Sequence, residues 1–173
     1  MLADTIIFAA GLFAWTLVEY VIHGTLSHIF ATPISPLHDV HHRDPHAIFT
    51  IGAWVPTALV WTAGIAIFGM SAGMIFYSGI VAGFIAYETV HYRIHFVRPS
   101  SAFEARIRAR HLAHHFHAPD MCFGVTTPIW DRVFGSEPSI DRMSALEASV
   151  ANVAPLTGPT NVRKISHYLR LAQ

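Results

Sequence analysis

The chain has 173 residues, 11 acidic and 11 basic side chains, and a composition that is 53% hydrophobic and only 13% charged. A neutral balance excludes nucleic acid as a partner, since phosphate recognition needs a basic excess. The apolar content points to an all-α integral membrane protein, and the lone Cys122 leaves no internal disulfide to rely on an oxidising compartment.

In chain order, the first element predicted is a spanning helix near 5–29, apolar until Glu19 and His23 close to its carboxyl end, which leaves the hydrocarbon. A signal peptide does not fit, because no positive n-region or small-residue cleavage site precedes the charged residues. A histidine-bearing loop, 31–49, follows. From Ala47 to Tyr87 there is no Asp, Glu, Lys, Arg or His, which is twice the roughly 20 residues a helix needs to cross a bilayer. Two further spans are expected, near 51–68 and 73–92, joined by a tight turn at "FGMSAGM". Pro56 falls in the first turns of its helix, where proline is tolerated. The remainder, 100–173, reads as a helical cap. It holds a helix from Phe103 to about His115, a loop-like "GVTTPIWDRVFG" at 124–135, and helices at 139–150 and 160–171. The last places Val162, Ile165 and Leu169 on one face beside Arg163, Lys164 and Arg170, an interfacial pattern. All of 1–173 is one domain of about three transmembrane helices and a cap.

Lysine and arginine set the orientation. They occur only at Arg43 and from Arg93 onward, which puts the amino terminus and tight turn outside, and the 31–49 loop and long tail inside. The histidines then lie on the cytoplasmic side or at that interface. In a bacterium the membrane would be the inner one.

Thirteen histidines outnumber lysine plus arginine, and ten of them fall in four clusters. His23 and His28 form H-x4-H; His38, His41 and His42 form H-x2-H-H; His91 and His95 form H-x3-H; His111, His114 and His115 form a second H-x2-H-H. On a helix, positions i, i+3 and i+4 share a face, so each H-x2-H-H is expected to present three imidazoles to one point. One metal ion seldom takes more than six ligands, so ten histidines imply two metals. Neutral imidazole suits iron, zinc, copper or nickel, and spacing does not choose among them. Glu19 and Glu88 recur at helical spacing before these boxes, and are expected to orient ligand imidazoles from behind. A carboxylate-bridged bundle is not expected, since Glu-x-x-His occurs only once, as "ETVH".

The motifs "EYVIHGTLSH", "HDVHH", "YETVHYRIH", "HLAHHFH" and "FGVTTPIWDRVFG", in this order, resemble the fatty acid hydroxylase/sterol desaturase superfamily, and most of all its ceramide-type fatty acid 2-hydroxylases. The resemblance spans roughly residues 15–135. It implies a membrane-bound non-haem di-iron oxygenase that uses O2 and two electrons to hydroxylate a lipid C–H bond, most simply on a fatty-acyl chain. The ten histidines match the metal-binding positions, with two iron ions as the expected cofactor and zinc able to replace them during purification. Two departures stand out: Gly24 replaces the arginine often found after the first histidine, and no fused haem domain is seen, so electrons are expected from a separate donor protein. Phe116, Trp130 and Phe134 are candidates for a lid over the substrate opening or for aromatic anchors of the cap. His117 is a candidate extra ligand or polar contact.

Other functions fit less well. A carotenoid ring hydroxylase usually spaces its third box as H-x4-H and lacks "WDRVFG"; a sterol-type oxidase stays open as an alternative. A metal transporter should carry polar groups deep in its spans, where 47–87 has no charge or histidine. A bis-histidine haem protein would need single facing histidines at membrane depth rather than triads at one end.

Overall fold

The computed structural model describes residues 1–30, 32, 35–47 and 51–156, with side chains for all of these except 37, 51–57 and 60. The chain is helical, and no strand occurs among the described residues. Helix α1 (Leu2–Tyr20) runs without a break into a π-helical segment (Val21–Ile29), followed by α2 (Ser35–Arg43), α3 (Ile51–Phe68), α4 (Ala72–Phe96), α5 (Ala102–Phe116), α6 (Ile129–Phe134) and α7 (Ile140–Val150).

Among the described residues, two stretches are long and apolar enough to cross a membrane: Leu2–Ile29, with 28 residues, and Ala72–Phe96, with 25. At about 1.5 Å per residue, 25 residues exceed the ~30 Å hydrocarbon core. Only 17% of the apolar window in the first and 22% in the second is buried, so neither is the covered core helix of a soluble protein. Ile6, Phe8, Leu12 and Phe13 on α1, and Phe76 and Ile85 on α4, face outward, as lipid-facing side chains do. Helix α3 coincides with the span expected at 51–68. Its Trp61 Nε1 donates to Ser78 Oγ on α4 at 3.2 Å. Helix α4 runs four residues past its expected end, so His91 and His95 sit on one unbroken helix.

Helices α1 and α4 meet backbone to backbone. A Cβ on Gly11 would run into the Phe76 carbonyl, and one on Gly79 into the Phe8 carbonyl. Small residues at such a crossing let helices gain dispersion contacts where no hydrophobic drive exists between them.

Beyond α4 the chain folds into a cap. Ile94, Leu112, Val125 and Val150 form its core, drawn from α4, α5, the following loop and α7. Ser101 caps α5 by accepting from Glu104 N at 3.2 Å. Leu156 N donates to the His95 carbonyl at 2.8 Å, returning the chain to α4. The segment "GVTTPIWDRVFG" is not all loop: its second half forms α6. The helix expected at 160–171, with His167, lies outside the described residues.

Candidate dimetal centre

The centre begins with an irregularity in the first spanning helix. His23 and His28 are five apart, and in an α-helix they would point about 140° away from each other. In a π-helix each turn closes i→i+5, so residues five apart share a face. The register is visible in two bonds that each reach back five residues: Phe30 N to the Thr25 carbonyl at 3.0 Å, and Ser27 Oγ to the Ile22 carbonyl at 2.7 Å. The expected single α-helix over 5–29 is therefore corrected for its last nine residues.

The ten clustered histidines gather into two pentads, each with ligand atoms within 4.8 Å of one another: His23, His28, His38, His42 and His114, and His41, His91, His95, His111 and His115. The expectation that each H-x2-H-H aims at one point is corrected. In both triads the i and i+4 imidazoles enter one pentad and the i+3 imidazole enters the other. The physical reason is angular: i+3 and i+4 lie about 100° apart around the axis, so a helix wedged between two sites feeds both. Each pentad thus takes two histidines from a spanning helix, two from one triad and one from the other.

Within the first pentad, Nε2 atoms of His28 and His38 are 2.8 Å apart, those of His38 and His42 2.9 Å, and those of His42 and His114 3.1 Å. In the second, His111 Nε2 lies 3.0 Å from His91, 3.1 Å from His95 and 3.0 Å from His115. One proton can serve only one of these three contacts, so the facing lone pairs call for a cation. Two nitrogens at right angles, each about 2.1 Å from a metal, are about 3.0 Å apart, against about 3.4 Å for a tetrahedral pair. The spacing and five donors per site fit a five- or six-coordinate ion better than a tetrahedral structural zinc.

The outer nitrogens set the tautomers. His23 Nδ1 lies 2.6 Å from the Phe123 carbonyl, and His114 Nδ1 lies 2.8 Å from the Met121 carbonyl. A carbonyl only accepts, so the proton sits on Nδ1 and the Nε2 lone pair faces the site. Among the described residues the buried His23 Nε2 has no protein partner, as a ligand atom requires. Burial, reinforced by neighbouring imidazoles, holds His38, His41, His111, His114 and His115 below the ordinary histidine range. Burial, followed by His28, brings His42 down to about 4. All six are neutral near pH 7, the form that ligates.

Residues 8–136 match the sequence profile described as fatty acid hydroxylase. The chain belongs to the fatty acid hydroxylase family. It is 31% identical over 141 residues to dihydroceramide fatty acyl 2-hydroxylase FAH1 of Arabidopsis thaliana, covering 75% of this chain and 59% of that protein. It is 32% identical over 144 residues to the ceramide very long chain fatty acid hydroxylase scs7 of Schizosaccharomyces pombe, covering 75% and 42%. Against fatty acid 2-hydroxylase of Homo sapiens it is 29% identical over 142 residues, covering 74% and 38%. A solved structure of full-length scs7p, in which only the hydroxylase domain is visible, aligns with a TM-score of 0.65 at 25% identity, covering 90% of this chain and 60% of that one. The chain therefore spans about three fifths of the length of FAH1 and about two fifths of scs7. Both pentads lie inside the matched region.

The acids do not sit where the boxes suggested. The Glu19 carboxylate accepts from Thr126 N at 2.6 Å and Thr126 Oγ at 2.7 Å, not from an imidazole. It pins the loop whose Phe123 and Met121 carbonyls hold His23 and His114. Glu88 is buried and its Oε2 has no protein partner. Trp130 and Phe134 lie along α1: Trp130 Nε1 donates to Thr16 Oγ at 2.9 Å, and the Phe134 ring stacks on Tyr20 at 5.2 Å. Phe116 and His117 are exposed at the end of α5, and His117 belongs to neither pentad.

Asp131, unremarked within "WDRVFG", is fully buried and accepts from Phe123 N at 2.8 Å, Gly124 N at 3.1 Å, Ser136 Oγ at 2.7 Å and Arg110 at 3.1 Å. Arg110, next to His111, also grips Glu137 through two 2.7 Å bonds. This knot locks α5 to the loop behind the first pentad. The only sequence sign of it was an Asp-Arg pair set between aromatic residues in "WDRVFG". The Phe123 ring packs 5.5 Å from His28 and 5.6 Å from His114. It fills the space beside Gly24, where a Cβ would come within 2.8 Å of its carbons, which explains why no larger residue stands there.

Proposed function

We propose that this chain is a di-iron lipid hydroxylase that inserts one oxygen atom of O2 into a C–H bond of a fatty-acyl chain, most simply by 2-hydroxylation of a fatty acid or ceramide-type lipid. One observation carries the reading: two pentads of imidazoles, within contact of each other, stand at one end of two membrane-length apolar helices in a member of the fatty acid hydroxylase family. The balance is R–H, O2, two electrons and two protons giving R–OH and water. The electrons come from a separate donor protein.

When bound, two irons supply the O2 activation and C–H cleavage that no side chain here can perform. The chain's own work is holding and shielding. His23, His28, His38, His42 and His114 would hold one iron, and His41, His91, His95, His111 and His115 the other. The Phe123 and Met121 carbonyls keep His23 and His114 in the ligating tautomer. Burial of His91, His95, His111 and His114 keeps water away. Three spans, with the centre on the cytoplasmic face, follow from the placement of lysine and arginine. The acyl chain lies among the spans with its reacting carbon at the boundary.

Comparative lipid mass spectrometry of cells with and without the gene tests this. The expected result is acyl chains heavier by one oxygen only when the gene is present. A change confined to carotenoids or sterols would overturn the acyl assignment.

A further inference from the structure

Where α4 hands over to α5, a cleft of about 220 Å³ opens, and none of the ten clustered histidines lines it. Its walls are apolar: Val90, Val97, Phe103 and Ile107. Its charged lining is unbalanced, with Arg93, Arg98 and Arg108 against the single carboxylate of Glu104. That carboxylate is already committed. Its Oε1 accepts from Arg93 at 2.7 Å, and its Oε2 from Ser100 N at 2.7 Å and Ser100 Oγ at 2.9 Å.

Arg108 is the anomaly. It is only 7% exposed, its Nε has no partner, and among the described residues it makes no hydrogen bond or ion pair. A buried guanidinium without a counter-charge is costly, and natural proteins normally pair it. By contrast Arg110, two residues on, has two counter-charges, Asp131 and Glu137, bonded through its Nη atoms. The cleft also sits at the last turns of a spanning helix, and Phe103 on its rim is 70% exposed. That is the level of lipid headgroups.

We propose that this cleft binds an oxyanion carried on an apolar chain: the phosphate of an anionic membrane lipid, seated on Arg108 and Arg98 with its acyl portion along Val90, Val97 and Ile107. A guanidinium offers a planar donor fork matched to phosphate, and basic pockets beside spanning helices suit such headgroups. A free phosphate shares the anionic chemistry but would leave the apolar walls unused.

The test uses the full chain, purified in neutral detergent with its metals, and native mass spectrometry of lipid adducts. The probes are dioleoylphosphatidylglycerol, dioleoylphosphatidylcholine and inorganic phosphate. Each basic group near a headgroup is worth about fivefold in affinity, so the anionic lipid should bind roughly 25-fold tighter than the zwitterionic one. Arg108→Gln should remove about fivefold of that preference and leave the bound metal unchanged, while Arg108→Lys retains most of it. Arg98 is exposed, so Arg98→Gln serves if Arg108→Gln fails to fold, and it too should cost about fivefold. Equal affinity for the two lipids, or an unchanged preference in the folded variants, would overturn the proposal. Displacement of the lipid by phosphate at equal concentration would overturn the lipid assignment.

Discussion

The Nδ1 of His23 lies 2.6 Å from the backbone carbonyl of Phe123, a residue 100 positions later. That contact joins the first apolar helix to the segment after α5 at one of the ten clustered histidines. The Phe123 ring fits only because position 24 has no side chain, and its peptide is held in turn by Asp131. The orientation of the His23 imidazole, helix packing and loop conformation are therefore mechanically one unit on this side of the centre.

Gly24→Ala tests the unit sterically. A Cβ 2.8 Å from the Phe123 ring must displace it, at a cost of about 1–3 kcal/mol for an overpacked site. The expected outcome is a lower melting temperature and weaker metal retention, both partly restored in the double variant with Phe123→Ala. Independent, additive losses in the double variant would contradict the coupling.

Asp131→Ala removes one of Arg110's two carboxylate partners, with Glu137 remaining, and leaves two buried loop N–H groups and the Ser136 hydroxyl without their acceptor. Each buried donor left without an acceptor costs about 1–3 kcal/mol. Thermal melting should fall by many degrees, and a variant melting like the parent would refute the role of the knot.

Glu19→Ala releases Thr126, and with it the loop that orients His23 and His114. Loss of outer support of this kind typically costs 10–100-fold in metal affinity. Chelator competition should show the loss in one of the two metals before the other. Equal weakening of both would argue that Glu19 acts on overall stability instead.

The histidines predict a pH dependence for the metal-stripped chain. An unfolded histidine titrates near 6.5, whereas burial first of all lowers folded His42 to about 4 and also lowers the other five histidines of α2 and α5. Below 6.5 the unfolded chain takes up protons that the folded chain refuses. Stability is therefore complete above pH 6.5 and falls as pH drops through that value toward 4, by up to about 1.4 kcal/mol per unit for each group. Melting curves at pH 7.5, 6 and 5 should step downward; a constant melting temperature would contradict this.

Much of the centre was legible because histidine spacing is a local signal. The four boxes, the charge-free stretch 47–87 and the turn before α4 are all written in consecutive residues. Three features were not. The π-helical register of 21–29 depends on i→i+5 bonds that no apolar period announces. The splitting of His41 from His42, and of His114 from His115, depends on where the two sites lie around each helix. Glu19 binds Thr126 and Asp131 binds Arg110 across 107 and 21 positions, and such long-range partners leave no trace in spacing.

Metal stoichiometry tests the two-pentad architecture most directly. Chain purified after growth in iron-rich medium should carry two metal ions. His41→Ala and His42→Ala, neighbours in sequence but in different pentads, should each carry one, and the double variant close to none. One metal in the parent chain, or a double variant no poorer than either single one, would contradict it.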